Sequence, residues 1–213
     1  MKPFYWITRF VIKCLAWLFY RHKVYGLEHF IPGAAILAPN HSSFLDPPLV
    51  GISSPEEIAY LARASLFHGK FLGFLLRHLN TYPVEGTTSD LASFKMIFQL
   101  LRDKQKVVVF PEGFRTHNGD MSPLKGGIGM LALRSQCPII PVYIDGSYAI
   151  WKRHQRYPKV SGRTTVVFGT PIYSAQFDHL PKKEAQIAIA NRVYTSIEGL
   201  RAWYQQGAKG LPP

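Results

Sequence analysis

Short apolar runs alternate with longer stretches of helical periodicity along this chain, and that alternation constrains its fold more than any other feature. Residues 34–38, 58–62, 107–110, 139–144 and 165–168 read as strands. Several of them are apolar without interruption, the pattern of strands buried on both faces. Residues 66–79, 89–104, 124–136 and 182–204 carry helical periodicity. Strands and helices in turn predict an α/β fold: a three-layer single domain with a mostly parallel (mixed) sheet. The length of 213 residues suits one such domain. No repeat, low-complexity tract or linker divides it, and the terminal Gly-Leu-Pro-Pro reads as a frayed end.

The amino terminus stands apart. Residues 4–20 are apolar and aromatic except for Thr8, Arg9 and Lys13. A helix of that length reaches about 26 Å, short of a ~30 Å hydrocarbon core, and it would carry two cations near its middle. At about 100° per residue, Lys2, Arg9 and Lys13 fall in one stripe with Trp6 and Tyr20 beside it. This predicts an N-terminal amphipathic membrane-interface helix over 1–22, its apolar face in lipid and its cations at headgroups, followed by a globular domain over 23–213. A secretory signal fits poorly, because charge interrupts the apolar part and no small-residue cleavage site precedes Arg21. The competing expectation is a helix packed on the protein's own core. Residues 66–79, rich in Leu and Phe with His68, Lys70, Arg77 and His78, offer a second basic apolar surface or a helix packed on the sheet.

Charge points the same way without choosing a ligand. The chain has 25 Lys and Arg against 13 Asp and Glu, a formal net charge of +12, which attracts nucleic acid, an anionic leaflet or phosphorylated small molecules alike. No nucleic-acid-binding motif is present, so no nucleic acid is expected as a partner. Cys14 and Cys137 have no metal or redox spacing and form no disulfide framework, as expected of a reducing compartment.

Two groups of polar residues emerge at the carboxyl ends of predicted strands, where open α/β sheets hold their ligands. One run leads into Asn40, His41 and, five residues beyond the histidine, Asp46; another leads into Pro111, Glu112, Gly113 and Arg115. His41 is the natural general base, since an imidazole takes a proton from an attacking hydroxyl and returns it to a leaving group near neutral pH. Asp46, folded back by the intervening turn, would fix the ring tautomer and stabilise the imidazolium. With Pro47 and Pro48 after it, Asp46 also reads as a helix N-cap, a compatible role. Ser42 and Ser43 adjoin the histidine too closely to meet it across a tight turn, and there is no Gly-x-Ser-x-Gly elbow. Direct attack by a substrate hydroxyl on an activated acyl group is therefore the economical mechanism.

Glu112, at the end of a buried strand, needs a pair or a ligand hydroxyl. Gly113 permits close backbone approach, and the planar fork of Arg115 suits a phosphate. Gly127, Gly129 and Ala132 imitate a dinucleotide fingerprint, but no strand precedes them, and helix packing explains them better. Without a Walker loop or a metal-spaced cluster, neither a bound cofactor nor a metal is expected.

In this order the motifs resemble those of the glycerophospholipid acyltransferase family, the 1-acylglycerol-3-phosphate acyltransferases of phospholipid synthesis, over residues 26–169. Residues 40–46 are similar to the family's first motif, which implies that His41 is the base and Asp46 its partner. Residues 110–116 are similar to the third, which implies that Glu112, Gly113 and Arg115 bind the glycerol phosphate. Residues 138–142 look like the proline-bearing fourth, and Arg63 stands where the family often has a basic phosphate-binding residue. One departure is visible. The family's second motif commonly ends in arginine after a valine and an acid, whereas this chain has Val84, Glu85 and Gly86, leaving Arg63, Arg115 and Lys125 to supply charge.

The resemblance implies acyl transfer from acyl-CoA or acyl-carrier protein, lying in an apolar groove, to the free hydroxyl of lysophosphatidic acid, giving phosphatidic acid. It further implies a location on the cytoplasmic face of a membrane, the inner membrane if the source is bacterial; the oxyanion such a reaction forms needs donors, for which backbone amides near Gly113 are the expectation. Glycerol 3-phosphate or another lysophospholipid is the alternative acceptor. A non-catalytic basic membrane-binding module is the alternative from another class.

Overall fold

The computed structural model describes residues 3–85, 91–124 and 126–213. Among these residues, one sheet contains β1 (Lys23–Tyr25), β2 (Ala35–Pro39), β3 (Ile58–Arg63), β4 (Thr81–Val84), β5 (Lys106–Val108), β6 (Ile139–Asp145) and β7 (Thr165–Phe168) in the order β1-β7-β6-β2-β5-β3-β4. Every neighbouring pair is parallel except β6 and β7. The helices are α1 (Pro3–Tyr20), α2 (Asp46–Ser53), α3 (Lys70–His78), α4 (Leu91–Arg102), α5 (Gly127–Ser135), α6 (Ser147–Ile150) and α7 (Lys182–Gln205).

Central β2 shows why its sequence does not alternate. Ile36 and Ala38 pack into the core under α4, α5 and α7, while Ala35 and Leu37 pack into the core on the side of α1 and α2. All five of its residues are buried, so both faces must be apolar. The three-layer mixed sheet expected from the sequence is the fold observed.

Two strands were not legible. β1 has three residues with an exposed lysine, and β4 contains Pro83, which cannot donate to a ladder and is tolerated because β4 lies at the sheet edge. The expected helix over 66–79 is broken at Gly69, with a 3-10 turn at Ala64–Phe67 before α3. Gly129 serves packing, as expected: a side chain there would collide with the Gln186 backbone of α7. The terminal residues are tied down rather than frayed. His29 Nε2 lies 3.0 Å from the Pro212 carbonyl, and Thr170 N–H donates to the Pro213 carbonyl at 3.1 Å.

Helix α1 departs at Arg9 from the expectation that its cations face headgroups, while Lys13 is exposed and Lys2 lies outside the described residues. Arg9 turns inward, donating from Nε to the Gly51 carbonyl at 3.1 Å and from Nη2 to the Ser54 carbonyl, and its guanidinium lies 4.8 Å from the Trp6 ring centroid. The last carbonyls of α2 have no intrahelical partner, and a cation at a helix C-terminus satisfies them. With Tyr5 and Ala16 also buried, α1 is seated on the core. Its outward side is largely apolar, with Lys13 also exposed: Ile7, Phe10, Trp17 and Leu18 are all more than 60% exposed, at 64%, 68%, 70% and 63%. Phe4 packs edge-on to Phe74 of α3, beside which Phe71 is 80% exposed. No helix among the described residues is long and apolar enough to cross a membrane.

Candidate active site

The site lies where β2 and β5 end, near the middle of the sheet. Asn40 holds the first turn by imitating one more ladder step: its Nδ2 donates to the Ile144 carbonyl at 3.1 Å, and Ile144 N–H donates to its Oδ1 at 2.7 Å. The second loop is pinned to the first by Glu112. Its Oε1 accepts His41 N–H at 2.8 Å, its Oε2 accepts Ser122 N–H at 2.9 Å, and Thr116 N–H donates to the His41 carbonyl at 2.9 Å. Burial pushes the Glu112 carboxyl above its ordinary range, opposed by these two amide bonds, with Asp46 pushing it further up. Each Glu112 oxygen accepts one backbone amide, so the carboxylate cross-links the two loops and keeps acceptor capacity for a ligand hydroxyl.

His41 and Asp46 meet. Nδ1 lies 2.8 Å from Asp46 Oδ2, and the same oxygen accepts the Ser42 and Ser43 amides, each at 2.7 Å. Asp46 is fully buried, its Oδ1 has no partner among the described residues, and Asp46 is the first residue of α2. It therefore binds backward toward the histidine instead of capping the helix forward. A carboxylate only accepts, so Nδ1 carries the proton and Nε2 presents its lone pair. The imidazole stacks on Phe110, centroids 3.9 Å apart, and its side chain is 16% exposed, enough to meet a substrate. Ser42 and Ser43 are turned away, Ser42 Oγ toward Ser147 Oγ at 3.2 Å and Ser43 Oγ donating to the Trp151 carbonyl at 2.7 Å.

Arg115 lies flat on Phe44, its guanidinium carbon 3.5 Å from the ring centroid, and its Nη1 is buried without an acceptor among the described residues. Burial lowers its pKa, as do Arg153 and Arg63, while Asp46 raises it, so three arginines share one electrostatic neighbourhood. Arg63 ends β3, as its sequence position suggested. Arg153 was missed; its one signal was a run of cations at 152–163 with no acid. Gly113, at φ +77°, donates its own N–H to the Phe110 carbonyl at 3.0 Å. That amide is therefore already engaged, and among the described residues the Phe114 and Arg115 N–H groups that follow it have no acceptor. Gly86 and Lys125 lie outside the described residues. An apolar cleft of about 250 Å³ runs between α1 and α2, lined by Ile12, Leu15, Ala16, Phe19 and Leu49, with Leu45 next to Asp46 at one side.

The acyltransferase family model matches residues 21–145, a span holding both loops. A 1-acyl-sn-glycerol-3-phosphate acyltransferase of Bacillus subtilis (strain 168) is 28% identical over 180 residues, covering 84% of this chain and 87% of that protein. The alpha form of Mus musculus is 30% identical over 158 residues, covering 71% of this chain and 55% of its own. A chloroplastic form of Brassica napus is 25% identical over 167 residues, covering 76% and 48%. This chain thus spans most of the bacterial relative and about half the length of the mouse and plant ones. The fold is shared with the 1-acyl-sn-glycerophosphate acyltransferase of Thermotoga maritima, at a TM-score of 0.74 and 23% identity, covering 91% of this chain and 80% of that one.

Proposed function

The chain belongs to the acyltransferase family, and from that premise we propose that it transfers a fatty acyl group from a thioester donor to the free hydroxyl of 1-acylglycerol 3-phosphate, giving phosphatidic acid. The observation that carries the reading is the His41–Asp46 pair beside the loop of Arg115, which Thr116 N–H ties to the His41 carbonyl.

His41 Nε2 takes the proton as the acceptor hydroxyl oxygen attacks the thioester carbonyl, and Asp46 stabilises the imidazolium that forms. The tetrahedral oxyanion is met by the Phe114 and Arg115 amides, a type of donor whose removal typically costs about 10² to 10³ in rate. Collapse breaks the carbon–sulfur bond, and the leaving thiolate recovers the proton from His41. Arg115 and Arg63 hold the acceptor's phosphate. Acyl-CoA or acyl-carrier protein supplies the thioester, and the cleft between α1 and α2 supplies apolar cover for a chain. Membrane engagement is supported by the exposed apolar residues of α1 and by Phe71 of α3, which water disfavours.

Purified full-length protein assayed with lysophosphatidic acid, glycerol 3-phosphate and other lysophospholipids, under each thioester donor, tests the acceptor. Fastest turnover on lysophosphatidic acid is expected; equal or faster turnover on another acceptor would sink that assignment. His41→Ala should abolish thioester-dependent acylation while liposome binding persists, and Asp46→Asn should lower kcat by about 10² to 10⁴ through the wrong tautomer. Retained activity in His41→Ala removes the histidine from its role.

A further inference from the structure

The connection between α6 and β7 has no part in the motifs. It carries Lys152, Arg153, His154, Arg156, Lys159 and Arg163 with no acid among them, and it lies beyond residues 21–145, where the family match ends. It is nonetheless strapped to the site. The Trp151 carbonyl accepts Ser43 Oγ at 2.7 Å and Phe44 N–H at 3.4 Å, and Ser43 pairs with Lys152 in an isolated antiparallel bridge. The Phe44 ring contacts the Trp151 ring at 5.1 Å between centroids and takes Arg115 at 3.5 Å. Residues 151–153 are therefore held beside the loop that carries His41 and joined to Arg115 through one aromatic ring.

Arg153 then comes back onto the loop of Arg115. Its Nη1 lies 3.2 Å from His117 Nε2, and the His117 carbonyl is itself fixed by Tyr148 Oη, which donates to it at 2.8 Å. A guanidinium only donates, so the imidazole accepts there and orients the fork without neutralising it. None of Arg63, Arg115 and Arg153 has a carboxylate at ion-pair distance among the described residues. Arg153 meets the loop of Arg115 two residues on, at His117, and Arg115 Nη1 is buried without an acceptor among the described residues, so an anion with several oxygens would supply the acceptor that Nη1 lacks.

We infer that Arg153 is a specificity-determining residue: with Arg115 it forms a two-guanidinium seat for a phosphate monoester dianion, and His117 holds its fork in place. Two guanidiniums favour a dianionic monoester over a singly charged diester. The inference rests on the acyl-transfer reading for the molecule that brings the phosphate. Two sources share this chemistry, the acceptor's phosphate and a phosphomonoester on the nucleotide of a coenzyme A donor.

The test uses the full chain in detergent micelles, as wild type, Arg153→Gln and Arg153→Lys. With lysophosphatidic acid as acceptor, the acceptor KM of Arg153→Gln should rise about tenfold, kcat should stay within about twofold, and Arg153→Lys should recover part of the loss. A rise under both acyl-CoA and acyl-carrier protein places the acceptor's phosphate in the seat; a rise in the donor KM for acyl-CoA alone places the nucleotide there. A second readout needs no turnover: glycerol 3-phosphate titrated into protein with labelled histidines should shift the His117 ring signals, and Arg153→Gln should weaken that binding about tenfold. If no acceptor is acylated by the wild type, the acyl-transfer reading fails while this titration still decides the seat. Equal phosphate affinity in wild type and Arg153→Gln overturns it.

Discussion

Single side chains here are set by what satisfies their lone pairs and protons. Asp46 puts three donors on one oxygen, so the ring of His41 has one tautomer and one orientation. Glu112 works one step back, joining the His41 amide to the Ser122 amide. Glu112→Gln replaces one acceptor with a donor facing an N–H, and it should cost about 1–3 kcal/mol in thermal or denaturant unfolding. Its kinetic signature separates the two readings of this residue. If Glu112 positions the loop, kcat falls and acceptor KM holds; a raised acceptor KM with kcat intact would return it to ligand contact. The identities of His41, Asp46 and Arg115 as polar groups at strand ends were legible, because a buried run ending in polar residues places them at the sheet's mouth. The inward turn of Glu112 was not, since nothing local to residue 112 reveals the amides 71 residues earlier and 10 residues later.

At the scale of elements, α1 is both seated and exposed, and separate residues read the two functions. Arg9→Ala leaves the terminal carbonyls of α2 without their cation and should lower stability by about 1–3 kcal/mol while vesicle binding persists. Phe10→Glu or Trp17→Glu, on the exposed side, should weaken vesicle flotation and leave the unfolding midpoint near that of the wild type. The reverse pattern would reassign both faces. Where α1 meets the sheet, His22 Nδ1 lies 2.9 Å from Thr164 Oγ1 and Nε2 lies 2.9 Å from Ser53 Oγ. Burial, with Lys13 adding repulsion, lowers its pKa to about 4 from an ordinary 6.5. The folded ring is neutral, so between about pH 6.5 and pH 4 the unfolded chain binds the extra proton and stability falls as pH falls. The loss is at most about 3 kcal/mol and is complete below the folded value. His22→Asn should flatten the pH dependence of unfolding across that window; an unchanged slope would show that another group sets it.

Across the whole molecule, a charge of +12 coexists with an apolar face on α1 and α3, and the two give different salt responses. Binding to anionic vesicles should weaken markedly between low and about 0.5 M salt, where screening shortens the reach of surface charge, while a residual apolar component survives. Salt-independent binding would assign association to the apolar face alone. The layered α/β architecture is written in local pattern, because strands buried on both faces must be apolar throughout and the helices that cover them must be periodic. The same pattern marks which loops carry the chemistry, because those strands end in polar residues of the required types. Long-range contacts alone set where Arg9 points, that Glu112 ties two loops together, that the carboxyl terminus is tied, and that Arg153 meets His117 on the loop of Arg115 from 36 residues away in sequence. Each depends on a hydrogen bond or charge contact between segments far apart in the chain, and local periodicity carries no record of such a partner.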